Sequence, residues 1–342
     1  HRDLHSFPTR RSSDLARGGR PVNLIIDDAY EPAKRVDFKG NMDLNKLRRF
    51  IEETGKENIP LGMITITNNA GGGQPVSMQN IRETAAMYHQ YGIPFFIDAC
   101  RFAENAYFIK LREPGYADKS PLEIAQEIFS YADGATMSAK KDAIVNIGGF
   151  IATNDADLFQ NIRNELIQRE GFPTYGGLAG RDLDAMAVGF KEVLQPAYLE
   201  YRLAQTAYLG EKLLKVGVPI IEPPGAHAIY LDAKTLLPHI PQAELPGQAL
   251  SIALYVEGGI RGVELGTVAF AYVDPETGKE VFPKLDLVRL ALPRRVYTQS
   301  HLDYVVDVLA EIAANPKKIN GYKIVYQPPL MRHFTARFEP LR

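Results

Sequence analysis

Residues 63–98 read MITITNNAGGGQPVSMQNIRETAAMYHQYGIPFFID. MITIT (63–67) is a short apolar run of strand type that stops at two asparagines and a glycine-rich turn. Ser77 then opens a segment whose Met78, Ile81, Ala85 and Tyr88 fall on one helical face. IPFFID (93–98) is a second strand. A strand, a helix and a strand in this order make the unit of a parallel sheet, because the chain must cross back before the second strand can run beside the first.

The alternation continues on both sides. VNLIID (22–27) predicts a strand, and MDLNKLRRFIEETG (42–55) predicts a helix capped by Asp43, with Leu44, Leu47 and Ile51 inward and Gly55 as the stop. SPLEIAQEIFSYAD (120–133) has Ser120 as cap and Pro121 at the first helical position. GATMS (134–138) and GGFIAT (148–153) are further strands. The expected class is α/β with a mostly parallel sheet. Beyond about residue 195 the texture changes to proline-rich punctuation (EPPG, LPHIP, ELPG), with helices near 199–216 and 246–259 and short strands AIYLD and VRLAL. The expected organisation is therefore a large unit over 16–195 and a smaller α+β unit over 196–342.

Composition narrows the function classes. The chain has 342 residues, 45% hydrophobic and 23% charged, with a net charge of −2, so no basic field points to nucleic acid or an anionic membrane. Its longest apolar run, ALSIALYV (249–256), is too short to span a bilayer. A single cysteine, Cys100, excludes an intrachain disulfide framework and fits a reducing, cytoplasmic setting. The first stretch, HRDLHSFPTRRSSDL (1–15), has no apolar periodicity and no secretory core. It looks like translated sequencing-adapter read-through, a non-native or disordered tail, and is set aside from fold reasoning.

In a parallel α/β sheet, ligands sit beyond the carboxyl ends of the strands. Those ends carry Asn68 and Asn69, then Asp98 and Arg101, then Ser138, Lys140 and Lys141. A lysine beside an aspartate on such a rim suits pyridoxal phosphate: the amine condenses with the aldehyde, and the carboxylate keeps the pyridine nitrogen protonated. Asn69 and Arg101 then suit the ring oxygen and Ser138 the phosphate. The residues alone leave this reading and a buried Lys–Asp ion pair both open. NNAGGGQP is neither a P-loop nor a dinucleotide fingerprint.

TNNAGGGQPVS, FIDACRFAENAYFIK, MSAKKDAIVNIGG, GFPTYGGLAGRD, RLALPRRVYT and MRHFTARF together resemble the tryptophanase and tyrosine phenol-lyase family, over about residues 16–342. The resemblance implies a fold-type I pyridoxal-phosphate lyase, homotetrameric and activated by potassium or a similar monovalent cation. It assigns Lys141 to the cofactor aldehyde and the α-proton, with Lys140 as electrostatic neighbour. It assigns Asp98 to the pyridine nitrogen, Arg101 and Asn69 (or Asn68) to the ring hydroxyl, and Ser138 to the phosphate. Arg294 would clamp the substrate carboxylate, and the Asn146 carbonyl would bind the cation. Leu265, where phenol-lyases carry arginine, and His333, where they carry an aromatic, favour L-tryptophan as substrate, released as indole, pyruvate and ammonia. VNIGGF and GLAGRD lean towards the phenol-lyase side, so tyrosine phenol-lyase is the alternative. A non-catalytic relative and an aminotransferase are more remote ones. Members of the family carry roughly a hundred or more further N-terminal residues, the length of a small domain. From this the expectation is an N-terminally incomplete chain with weak cofactor retention and little turnover.

Overall fold

The computed structural model describes residues 18–274, 277–328 and 332–341. The tail over 1–15 lies outside the described residues, as does Met331 of MRHFTARF. The first helix, α1 (Leu44–Thr54), starts where the Asp43 carboxylate accepts from the Asn45 and Lys46 amides and ends at Gly55, whose φ is 81°. Strand β1 (Gly62–Thr65) follows, then α2 (Met78–Gln90), capped by the Ser77 hydroxyl, and β2 (Phe95–Asp98). Helix α3 (Phe102–Arg112) and helix α4 (Pro121–Ser130) lead to β3 (Gly134–Ser138) and β4 (Gly149–Thr153). The Ser120–Glu123 capping box starts α4.

These four strands form one sheet in the order β1-β2-β3-β4, with β1, β2 and β3 parallel and β4 antiparallel to β3. The strand expected over 22–27 does not form. Ile25 makes only an isolated bridge to Met42, the Asn23 side chain takes the Ile25 amide, and Asp27–Tyr30 turns into a 3-10 helix. Local side-chain acceptors compete there with a ladder.

Helices α5 (Ala156–Arg169) and α6 (Gly180–Glu192) precede the long α7 (Pro196–Lys215). The C-terminal part holds β5 (Ala228–Asp232), α8 (Pro246–Gly258), β6 (Val263–Leu265), the hairpin of β7 (Tyr272–Val273) and β8 (Glu280–Val281), and β9 (Leu287–Ala291). After α9 (Gln299–Ala314) it closes with an antiparallel pair, β10 (Tyr322–Tyr326) and β11 (Arg337–Pro340). Strands β5, β9 and β6 make an antiparallel sheet with β9 central.

The apolar interior divides accordingly. One core packs Leu47, Ile64, Ile81, Phe95 and Ile97 with α3, and a second packs Leu231, Leu250, Leu290 and Leu309. Helix α7 serves both, with Leu199 and Leu203 in the first and Leu209 and Leu213 in the second. A smaller cluster of Ala70, Tyr230, Leu265 and Leu287 lies under the glycine-rich turn.

Candidate active site

Thr65, Asp98 and Thr136 lie in register, so the turns that follow β1, β2 and β3 open on one rim. Those turns are stitched together by the backbone. The Arg101 amide donates to the Ile66 carbonyl (3.1 Å), the Asp142 amide donates to the Cys100 carbonyl (3.3 Å), and the Ser138 amide donates to Cys100 Sγ (3.3 Å). These bonds tie to one another the turns that carry the rim residues expected from the sequence.

The paired lysines part company. Lys140 is exposed, whereas Lys141 is half-buried. Burial lowers the Lys141 amine below the ordinary lysine value; Cys100 opposes the shift, and Arg101 and Lys140 reinforce it. Asp98 ends β2 and its carboxylate accepts from the Cys100 amide at 3.4 Å. Burial and the Asp98 charge push the Cys100 thiol up, so it behaves as a neutral filler between strand ends.

The two asparagines also divide. Asn68 Oδ1 accepts from the Ala70 and Gly71 amides at 3.1 Å each and closes the turn, where Gly72 and Gly73 take φ of 87° and 67°. Asn69 Oδ1 instead accepts from three groups of the C-terminal part: Arg289 Nη1 at 2.7 Å, His227 Nε2 at 2.9 Å and the Tyr230 hydroxyl at 3.2 Å. Its oxygen is saturated, which turns its amide nitrogen the other way. Burial, with several arginines nearby, holds His227 well below the usual histidine range, so it is neutral. Gly73 is required by packing as well as by φ, since a Cβ there would meet the His227 ring at 3.1 Å.

Arg101 stands at the start of α3, buried, with its Nε unpartnered. Arg294 reaches the same region from the loop after β9. Its Nη2 donates to Glu104 Oε1 (3.1 Å) and to Asp142 Oδ1 (2.5 Å), and Glu104 Oε1 also accepts from Arg202 Nε at 3.1 Å. Burial pulls the Arg294 guanidinium down, but Glu104 and Asp142 more than offset this and leave it raised. Burial and the neighbouring Glu104 charge push Asp142 up to about 6.

The remaining candidates lie elsewhere. Leu265 is buried at the end of β6, against Ala70 and Tyr230. His333 sits beside the 267–270 turn, to whose carbonyls Arg332 donates, and its ring is tilted by 43° against that of Phe334 with 3.9 Å between centroids. Its Nε2 is buried without a partner, and burial together with Arg332 lowers its pKa. Asn146 is exposed in the loop beyond Asp142. Reading the sequence missed Glu104, Asp142, Arg202, His227, Tyr230 and Arg289. The one signal for Asp142 was its place directly after the lysine pair.

Comparison with known proteins follows the same lines. The β-eliminating lyase family model matches residues 4–308. The tryptophanase of Salinibacter ruber is 53% identical over 334 residues, covering 98% of this chain and 70% of that protein. The tryptophanase of Hyphomonas neptunium is 55% identical over 335 residues, 98% of this chain and 73% of that one. A tyrosine phenol-lyase of Symbiobacterium is 48% identical over 335 residues, 98% of this chain and 73% of that one. Among solved structures, a chain of a SepCysS–SepCysE N-terminal domain complex shares the fold, with a TM-score of 0.54 at 15% identity over 92% of this chain and 74% of that one. The α/β architecture of fold type I expected from the sequence is the one observed. By family model and by identity over nearly its whole length, the chain belongs to the β-eliminating lyases.

Proposed function

We propose that this lyase binds pyridoxal phosphate at the rim of β1, β2 and β3 and eliminates the indole of L-tryptophan, yielding pyruvate and ammonia. The observation that carries it is the placing of Lys141, Asp98 and Arg101 within electrostatic reach of one another beyond aligned strand ends, with Asn69 in the turn after β1, in a chain 53% and 55% identical to two tryptophanases. The residues fit the cofactor. Arg101 has a buried Nε without a partner, and Lys141 has an amine that burial makes easier to deprotonate. Asp98, Arg101, Asn69, Ser138 and Lys141 would hold it, with Lys140 adding positive potential.

When bound, pyridoxal phosphate supplies an electron sink for charge at the α-carbon of the amino acid. The chain supplies the rest. Asp98 keeps a proton on the pyridine nitrogen, and Lys141, with its lowered pKa, removes the α-proton. Arg294 receives the substrate carboxylate, a task suited to a guanidinium. Leu265 and His333, outside the hydrogen-bonded rim, are assigned by the family resemblance to the leaving-group side, with an apolar side chain at 265 where a phenol-specific site would need a cation. Tyrosine phenol-lyase activity is the second reading, favoured by the 48% identity to one such enzyme.

The reading includes a monovalent cation, potassium, on the Asn146 carbonyl, and two units dividing near residue 195. It also includes a cytoplasmic homotetramer. Exposed Ile147, Ile151, Phe159, Phe172 and Val188, all in the 147–190 region, support self-association. Among the described residues no helix is long and apolar enough to cross a membrane.

Incubation with pyridoxal phosphate and potassium, borohydride reduction and peptide mapping test the site. The expected adduct is stoichiometric on Lys141 and lost in Lys141→Ala. Adduct spread over exposed lysines such as Lys140 would overturn the assignment. Indole release from L-tryptophan against phenol release from L-tyrosine then decides the substrate.

A further inference from the structure

Behind the rim, Arg101 and Arg294 face buried groups that have no role in the proposal so far. Asp142, fully buried, follows Lys141 directly in the chain. Its Oδ2 accepts from the Ala103 amide (2.8 Å) and the Glu104 amide (3.4 Å), and its Oδ1 accepts from Arg294 Nη2 at 2.5 Å. Glu104, 1% exposed, holds the same Nη2 and the Arg202 guanidinium. Three guanidinium groups, Arg101, Arg202 and Arg294, therefore face two carboxylates, which leaves one uncompensated positive charge. The cluster is also incompletely bonded: Arg101 Nε, Arg202 Nη1, Arg294 Nε and Glu104 Oε2 are all buried without partners. A network kept for stability alone would satisfy these atoms.

We infer that Asp142 is a positioning residue for the substrate carboxylate, fixing Arg294 by one amino group so that the rest of its guanidinium is presented to the incoming anion. This rests on the reading of Arg294 as the carboxylate clamp. Asp142 is an anchor and not a competitor that the substrate displaces. Its other oxygen is committed to the first turn of α3, and pushing it off Arg294 would leave a buried carboxylate without its cation. The anchor joins three parts of the site in one side chain: the lysine loop, the start of α3 beside Arg101, and the loop after β9.

Asp142→Asn makes a sharp probe. The two backbone amides of α3 demand an oxygen, so the new amide nitrogen is turned onto Arg294 Nη2, donor against donor. Two ligands that share an indole and lack an amine, and so cannot be turned over, read the effect: indole-3-propionate and the uncharged indole-3-propanol. The chain contains no tryptophan and its 17 tyrosines are not excited at the red edge of indole absorption, so ligand fluorescence read there in equilibrium dialysis reports the ligand. The cofactor-loaded protein should prefer the propionate. Asp142→Asn should reduce that preference by about tenfold, the scale of one charge-assisted hydrogen bond, while leaving the propanol affinity unchanged.

An unchanged preference would overturn the inference, and so would a stronger one, which would make Asp142 a competitor. Equal loss of both ligands would mean that Asp142 only supports the fold. If Asp142→Asn does not fold, Glu104→Gln takes its place, with the same expectation of lost preference at constant propanol affinity. Arg294→Gln separates the two levels of the argument. If that variant keeps the wild-type preference, the clamp reading itself fails. If it abolishes the preference while Asp142→Asn leaves it intact, only the positioning role fails.

Discussion

Glu264 and Asp286 are carboxyls taken out of water side by side in the C-terminal part. Glu264 accepts from the Val268 and Ala269 amides at 3.0 Å each, and Asp286 from the Gly247 amide and from the amide and hydroxyl of Thr267. Burial, and the charge of Asp286, push Glu264 up to about 8. The sign follows from linkage. A folded pKa above the unfolded one gives stability that is present at low pH and lost as pH rises through the folded value. Wild type should therefore lose on the order of 1 kcal/mol between pH 7 and 9, and Glu264→Gln, which keeps an acceptor, should flatten that decline. Melting curves across the range check it; parallel slopes for the two proteins would show Glu264 ionised throughout. At this scale the sequence was legible where a polar residue ends an apolar run, as with Asp98, Asn69 and Lys141. It was opaque where the partner is remote in the chain. Nothing around Glu104 announces Arg202 or Arg294, 98 and 190 residues away.

Elements were legible when they had both a cap and a polar face. Asp43, Ser77 and Ser120 each cap the helix that the pattern expected, and each of those helices shows solvent one stripe of side chains. Helix α3 went unread for the opposite reason. Phe102 to Ile109 are buried without a break, so no period of 3.6 stands out, and Arg101 supplies no side-chain cap. Helix α6 shows how an element acts on the site without contributing a reactive group. A Cβ on Gly189 would lie 1.7 Å from the Ala143 carbonyl oxygen, so this helix rests directly on the backbone two residues beyond Lys141. Gly189→Ala must push that loop away. It should cost on the order of 3 kcal/mol, as overpacking against backbone does, and also cut borohydride-trapped cofactor on Lys141 at equal folded protein. Denaturant titration and peptide mapping on one preparation would test both; lost stability with normal trapping would mean that the helix moves and the lysine loop does not.

Two main apolar cores and a smaller cluster make up the interior of the described residues, and α7 runs through both cores. Between them the bonds are polar: Arg202 on α7 to Glu104 on α3, Arg294 to the same carboxylate and to Asp142, and Arg289, His227 and Tyr230 to Asn69. Alternation of strands and helices in the sequence foretold the parallel sheet and its rim. It did not foretell this seam, because ion pairs between distant segments leave no periodic trace. The seam ties the substrate-facing arginine to the cofactor-facing strand ends, so its strength bears on binding as well as on folding. Arg202 tests it from the side remote from the lysine. Its guanidinium is 2% exposed and Glu104 is 1% exposed, so neither can be rescued by water. Arg202→Met keeps the stem but takes from Glu104 one of its buried hydrogen-bonded cations, and breaking one side of such a pair costs roughly 3–5 kcal/mol. Urea unfolding should show a midpoint lowered accordingly. Adding Glu104→Gln, which removes the carboxylate that Arg202 serves, should cost less than the two single changes summed. A single variant that unfolds at the wild-type midpoint would mean that α7 joins the two cores through its apolar contacts, with the ion pairs serving the site alone.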